Sequence, residues 1–429
     1  MEDKAGMSFD GDISGTVDAT GRPSPPAADA AAKERVALAT TSSAHFLHDG
    51  IADSLYVLLP LWAQTFGLNY TQVGSLKTAY SAAMASFQMP AGVLAERLGQ
   101  RALLVGGTLL AGAAFAAMAL AGGYLSLFLV ILVVGLGSAV QHPLASAIIS
   151  QAYPAARRRS ALGIYNFSGD VGKMVVALCV AAVAGAIGWQ AAAIGYGAIV
   201  VAAGVVLLLV LLRYSLGQLR PAETGPQTGV VAQPAIQAGR RGLRLTNVRG
   251  FTLLSGIHAV DSAGRTGALT LLPFVLVQKG ALPATIGLAL ALIFAGGAAG
   301  KLACGLLADR VGILRTVIVT ELATAAILIA ALVAPLAVVI VLMPLFGIAL
   351  NGTSSVLYGT VTDFVHADRQ ARAFGLFYTI GSAAGGVSPL AFGALSDWIG
   401  LTQALVGLSA LVLGTLPLAV LLNPHLATR

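Results

Sequence analysis

An all-α polytopic membrane protein with twelve transmembrane helices in two six-helix repeats is the fold class that three observations predict. Hydrophobic residues make up 57% of the 429-residue chain and charged residues 10%, a composition foreign to soluble domains. Twelve stretches approach the roughly 20 mostly apolar residues a spanning helix needs. They lie near 37–63, 72–94, 102–122, 125–150, 161–187, 190–212, 251–277, 284–307, 314–334, 336–360, 372–394 and 402–422. Finally, short motifs recur between the two halves of the chain at a common offset.

Residues 1–35 carry Pro23, Pro25, Pro26 and seven acids without an apolar core, so they are expected to form a disordered cytoplasmic tail rather than a signal peptide. A first six-helix bundle is assigned to 36–213. The polar segment 214–250, with Pro221, Pro226 and Pro234, is a cytoplasmic linker, and 251–423 form the second bundle. Basic residues concentrate in alternate connections: Arg97 and Arg101, Arg157 to Arg159, Arg213 to Arg249, Arg310 and Arg315, Arg369 and Arg372. That asymmetry places both termini and the linker in the cytoplasm. The net charge of +7 is therefore topological, and no nucleic-acid partner is implied. Cys179 and Cys304 lie inside spans as small packing residues, with no disulfide framework or metal knuckle. No nucleotide-binding Gly-rich loop ending in Gly-Lys-Ser/Thr occurs, which argues against an enzyme or an ATP-driven pump. No cofactor is expected.

At an offset of 213, "GVLAERLGQR" (92–101) falls on "GLLADRVGILR" (305–315), His45 on His258, and Leu59-Pro60 on Leu272-Pro273. At 212, Gly135 falls on Gly347 and Leu162-Gly163 on Phe374-Gly375. Parallel six-span repeats joined by a long linker suit two bundles that rock about a site near mid-depth.

Twelve spans with a G-x-L-a-D/E-R-x-G loop after the second and eighth resemble the major facilitator superfamily over about residues 36–423. Within it, "AHFLHDG" (44–50), "LLP" (58–60) and "GLGSAVQHP" (135–143) resemble the fosmidomycin-resistance-like drug exporters. The resemblance implies a monomeric secondary transporter of the bacterial inner membrane, with export favoured. It implies a gating role for Gly92, Glu96, Arg97, Gly305, Asp309 and Arg310, whose carboxylates would cap a neighbouring helix and pair with arginine until the bundles rock. Glu96 stands where the family usually has Asp. Exporters often carry Gly-Pro in the fifth span, where this chain has Val176-Ala177.

Thirteen ionisable residues fall inside the spans: Asp49, Asp53, Lys77, Asp170, Lys173, Asp261, Arg265, Lys301, Glu321, His45, His48, His142 and His258. A charge at the bilayer centre costs about 3 kcal/mol on the insertion scale, so these groups must face protein or water. His45, Asp49 and Asp53 follow i, i+4, i+8 and share a helix face. His258, Asp261 and Arg265 follow i, i+3, i+7, and Asp170 and Lys173 are i, i+3. The resemblance implies that spans 1, 4, 7 and 10 line the cavity, with 2, 5, 8 and 11 beside them.

Asp49, Asp53 and His45 are the candidates for proton coupling, because no lysine or arginine shares their helix. Arg265 offers a planar fork for a carboxylate or phosphonate and Lys173 a point charge, with Asp261 expected to occupy the Arg265 fork in the empty state. His142, Asp170, His258, Asp261, Asn166 and Asn351 complete the substrate-binding set. Glu321 is expected to pair with a loop arginine, and Lys77 and Lys301 to snorkel toward the interfaces. The leading reading is proton-coupled transport of a small anionic or zwitterionic organic solute. Divalent metal efflux through His45, Asp49, His258 and Asp261 and a non-transporting membrane sensor that docks a partner through its tail or linker remain the alternatives.

Overall fold

The computed structural model describes residues 27–218, 245–366 and 370–426. Fourteen α-helices make twelve long runs: α1 (Ala27–Phe66), α2 (Tyr70–Leu98), α3 (Gln100–Ala117), α4 (Tyr124–Ser138) continued by α5 (Gln141–Ala152), α6 (Ala155–Ile187), α7 (Trp189–Arg213), α8 (Val248–Gln278), α9 (Pro283–Val311), α10 (Ile313–Val333), α11 (Leu336–Thr360), α12 (Gln370–Ile399) and α13 (Leu401–Leu413) continued by α14 (Thr415–Leu422). Apart from one isolated bridge between Leu245 and Val365, the described residues carry no strand pairing.

The repeat extends to the helix ends. α2 and α9 are both 29 residues long and start 213 positions apart. The turns that follow them are made by Gly99 and Gly312, at φ 86° and 91°. Gly188 and Gly400, 212 apart, do the same after α6 and α12, at φ 95° and 93°. A side chain is strained at such angles, so each turn requires glycine.

Among the described residues, nine of the runs are long and apolar enough to cross a membrane by length and composition alone. α1, α2 and α12 are the exceptions, and packing explains why. α2 packs along α12, and α1 lies against α6 and touches α8 and α9. Helices shielded from lipid by neighbouring helices tolerate the polar residues that lipid would exclude. The lipid-facing surface is instead carried by residues such as Leu125, Ile199, Val206 and Val341.

Two boundaries differ from expectation. α1 begins at Ala27, so 27–35 are helix rather than tail, and the buried Glu34 accepts a hydrogen bond from Arg157 Nη2 at 2.8 Å. The remaining tail, 1–26, lies outside the described residues, as do 219–244 of the linker. Its last residues are docked: Thr246 N donates to Phe364 O at 3.0 Å, and Asn247 caps α8 through the Gly250 N–H.

The two groups of six runs meet mainly through α2 against α12 and α6 against α9. At the face opposite the termini they are closed. Gly74 abuts the Pro389 carbonyl, Gly393 abuts Tyr70 O, and Gly287 abuts Ala181. Asp397, at the end of α12, accepts hydrogen bonds from the Tyr70 and Thr71 amides at the start of α2, at 2.9 and 2.8 Å. Toward the termini face, a Cβ on Gly92, Gly163 or Gly305 would meet nothing within 4 Å.

Candidate functional site

α1 presents His45 and Asp49 to the middle of the first six runs, where α5 and α6 add their partners. His45 Nδ1 contacts the Tyr165 carbonyl at 2.7 Å and its ring stacks on Tyr165 at 4.2 Å. Its Nε2 lies 3.3 Å from Asp49 Oδ1. His142 Nε2 approaches the same oxygen at 3.7 Å, and Lys173 Nζ approaches Oδ2 at 3.3 Å. Gly169 makes this possible: a Cβ there would sit 2.6 Å from both His45 Nε2 and Asp49 Oδ2. Asp49, expected to have no cationic partner, is paired by Lys173 of α6.

Lys173 also reaches Asp170 at 3.3 Å, the pair its spacing predicts. Asp170 is shared, because Lys301 Nζ of α9 contacts its two oxygens at 2.8 and 2.7 Å. Lys301 therefore bridges the two halves instead of snorkelling. Lys77 does not snorkel either. It is buried, donates to Ala52 O at 3.0 Å and lies 4.2 Å from the Tyr56 ring centroid, which offsets part of the cost of its burial.

Between the halves lies a cavity of about 160 Å³ lined by Asp53, Tyr56, Asp170, Lys173, Arg265, Lys301, Asn351 and apolar neighbours. A second, of about 230 Å³, is lined by His48, Asp49, Asp53, Tyr80, His142 and Lys173 among others. Asp53 and Lys173 border both. In the first cavity three cations face two carboxylates. Arg265 makes no ion pair among the described residues, and its Nε has no hydrogen-bond partner. The expected closure of its fork by Asp261 is not made.

Asp261 turns instead toward Glu321 of α10, the two carboxyls facing each other within hydrogen-bonding reach. Glu321 is buried and pairs with no loop arginine among the described residues. Glu321 lies on the ninth span, outside those that the resemblance implies line the cavity, and the signal available for it is its mid-span position. Asp397, which caps α2 from the other half, carries no sequence signal that singles it out. His258 is buried between Phe377, stacked at 4.2 Å, and Tyr358, and lines neither cavity. Asn166 is exposed and lines neither.

The four-ligand metal set does not assemble. Among the described residues His45, Asp49 and His142 bring ligand atoms within 4.8 Å of one another, and the Lys173 ammonium already occupies Asp49. Of the gate residues, Glu96, Arg97 and Arg310 are exposed and make no ion pair among the described residues. The side chain of Asp309 lies outside those described. Gly92 and Gly305 have no neighbour within 4 Å of where a Cβ would stand.

The sequence model of the Major Facilitator Superfamily matches residues 41–254 and again 254–428. The "Hexuronate transporter" of Bacillus subtilis (strain 168) is 23% identical over 366 residues, 81% of this chain and 84% of that protein. The "Probable sulfoacetate transporter SauU" of Cupriavidus necator is 28% identical over 146 residues, 34% of either chain, so the match spans about a third of that relative. Among solved structures, a bacterial homolog of the human lysosomal transporter Spinster, inward-facing and unoccupied, superposes with a TM-score of 0.77 at 17% identity, covering 92% of this chain and 98% of that one. A POT family transporter in complex with a thioalcohol-conjugated peptide gives 0.74 at 14% identity, covering 91% and 96%.

Proposed function

The chain belongs to the Major Facilitator Superfamily, and on that premise we propose that it moves a small organic acid anion across a membrane by alternating access coupled to protons. The observation that carries this reading is the uncommitted Arg265 guanidinium in a cavity between the halves, where three cations face two carboxylates. A carboxylate or sulfonate matches the planar donor fork that Arg265 leaves open. Sulfoacetate and hexuronates, the solutes named for two relatives, are both organic anions.

In this reading the termini face is cytoplasmic, in line with the alternate placement of arginines, and the structure is the inward-open state. Asp49, held by Lys173, His45 and His142, ties α1 to α5 and α6. Asp170 with Lys173 and Lys301 is the link across the halves that substrate entry competes with. Asp53 borders both cavities and makes no ion pair among the described residues. Export, implied by the fosmidomycin-resistance-like resemblance, has no support from the cavity itself.

The test uses the purified full chain in liposomes loaded with a pH-sensitive dye, challenged with glucuronate, sulfoacetate, cationic drugs and divalent metals. Proton movement driven by the organic anions and lost in Arg265→Ala is the expected result. A response to metals or cationic drugs that survives Arg265→Ala overturns the anion reading.

A further inference from the structure

The anion reading leaves Asp261 and Glu321 without a role, yet both are buried, at 5% and 2% exposure. They sit on different helices, Asp261 near the middle of α8 and Glu321 near the middle of α10, and their carboxyls meet. The surroundings are polar but weakly cationic. Thr353 of α11 lies against Glu321, and Thr320 Oγ1 contacts Thr353 Oγ1 at 2.7 Å. On α8 itself, His258 stands one turn before Asp261 and Arg265 one turn after. Tyr358 of α11 is close to both Asp261 and Arg265, with Tyr378 of α12 beyond it at a ring distance of 4.8 Å. Asp53 of α1 and Lys301 of α9 line one cavity with Arg265. α13 and α14 carry no titratable side chain.

Two carboxyls in contact and out of water do not both ionise; they share a proton. The repeat shows that this pair is not a packing requirement. At the offset of 213, Asp261 and Glu321 correspond to His48 and Thr108, which meet at the same place in the first half through a 3.0 Å contact between His48 Nε2 and Thr108 Oγ1. A neutral polar pair satisfies the geometry there. The second half has put two acids in it.

We propose that the Asp261–Glu321 pair is the proton-binding site of this transporter and that it couples to the anion through Arg265, so that anion and proton travel together. The inference rests on the anion reading above and deepens it. In the empty carrier the pair holds one proton and one negative charge, which the Arg265 guanidinium balances. An anion bound to Arg265 takes up that positive charge, and the pair then binds a second proton from water. No covalent bond other than O–H forms or breaks, and the loaded site again sums to zero. Empty and fully loaded sites are neutral, whereas a site with only the anion or only the second proton carries a net charge, whose passage through the closed, low-dielectric state is costly. That difference is the coupling. On release, one anion and one proton leave together.

Glu321→Gln and Asp261→Asn in the full chain test this directly. A third variant, Asp261→His with Glu321→Thr, rebuilds the first-half pair in the second half and guards against a failure to fold, which thermal unfolding in detergent would reveal. With glucuronate as the probe, one-to-one movement with a proton predicts about tenfold accumulation across one pH unit in the wild type. In each variant accumulation falls toward equality while exchange of labelled for unlabelled glucuronate persists, so that the ratio of accumulation to exchange drops.

Infrared pH-difference spectra supply a readout independent of substrate: a protonated-carboxyl band near neutral pH in the wild type, lost in Glu321→Gln. Glu321→Gln that still accumulates glucuronate overturns the proposal, and so does a wild-type spectrum without that band. If Arg265→Ala abolishes anion-driven proton flux but Glu321→Gln does not, the anion reading stands and only this inference falls. If glucuronate and sulfoacetate are not moved at all while the band behaves as expected, the anion reading falls and the proton site stands.

Discussion

In the first half of the molecule His45 stacks on Tyr165 at 4.2 Å; in the second, His258 stacks on Phe377 at the same distance. Tyr165 and Phe377 are 212 residues apart, as are Gly169 and Gly381, each of which lies under its histidine where a side chain would collide. The scaffold of histidine, aromatic ring and glycine is thus built twice. What fills it differs. Asp49 has Ser262 as its counterpart, and Lys173 has Gly385. The first half therefore closes an ion-pair network around one carboxylate, while the second leaves Arg265 uncommitted and turns its acid toward another acid. A shared backbone sets where side chains meet, and a few substitutions decide whether the meeting point holds a fixed charge or an exchangeable one.

The comparison can be broken in stages. The largest effect is expected at Arg265, where loss of a desolvated guanidinium costs about 2–5 kcal/mol of anion binding. Arg265→Ala should then raise the KM for organic-anion transport about 30-fold or more, and Arg265→Lys should recover only part, because an ammonium lacks the planar fork. An Arg265→Ala protein with an unchanged KM would mean that Lys173 and Lys301 suffice.

Overpacking the glycines comes next. Gly169→Ala pushes a methyl against His45 and Asp49, which are held by three partners, and should destabilise the fold by about 1–3 kcal/mol. Gly381→Ala should cost less despite the closer approach of its Cβ to His258, since among the described residues that ring is held by no ion pair and its Nδ1 by no hydrogen bond. Thermal unfolding of both variants in detergent checks the order. A reversed order would show that the ion-pair network is the more compliant of the two.

Asp397 caps the α2 N-terminus from the other half. A charged N-cap contributes about 1 kcal/mol, so Asp397→Ala should shift the balance about fivefold away from the state closed on the face opposite the termini. Distances between spin labels at the ends of α2 and α12 would report it.

The smallest effect is expected at Lys77, whose counterpart at 213 is Leu290. Replacing a buried charge by an apolar side chain of similar volume is often neutral or stabilising. Lys77→Leu is therefore expected to leave the unfolding temperature unchanged or higher, and a marked fall would show that its contact with Ala52 O outweighs the desolvation it costs.

Much of this architecture was present in the order of residues. Twelve apolar runs, the paired "GVLAERLG" and "GLLADRVG" loops and the arginine asymmetry determine twelve helices in two repeats, because lipid admits only backbones hydrogen-bonded within themselves and length alone then sets the element. The i, i+3 spacing of Asp170 and Lys173 was enough to find a local pair. The rest depended on which helices touch. Nothing along α1 indicates that Lys173 will neutralise Asp49, nor along α9 that Lys301 will reach Asp170, since those partners lie more than a hundred residues away and an ion pair has no sequence period. Glu321 looked peripheral because a span number does not say which helix face turns inward. Helix formation is dictated locally, residue by residue; the pairing of charges is a property of packing, and only the tertiary structure decided it.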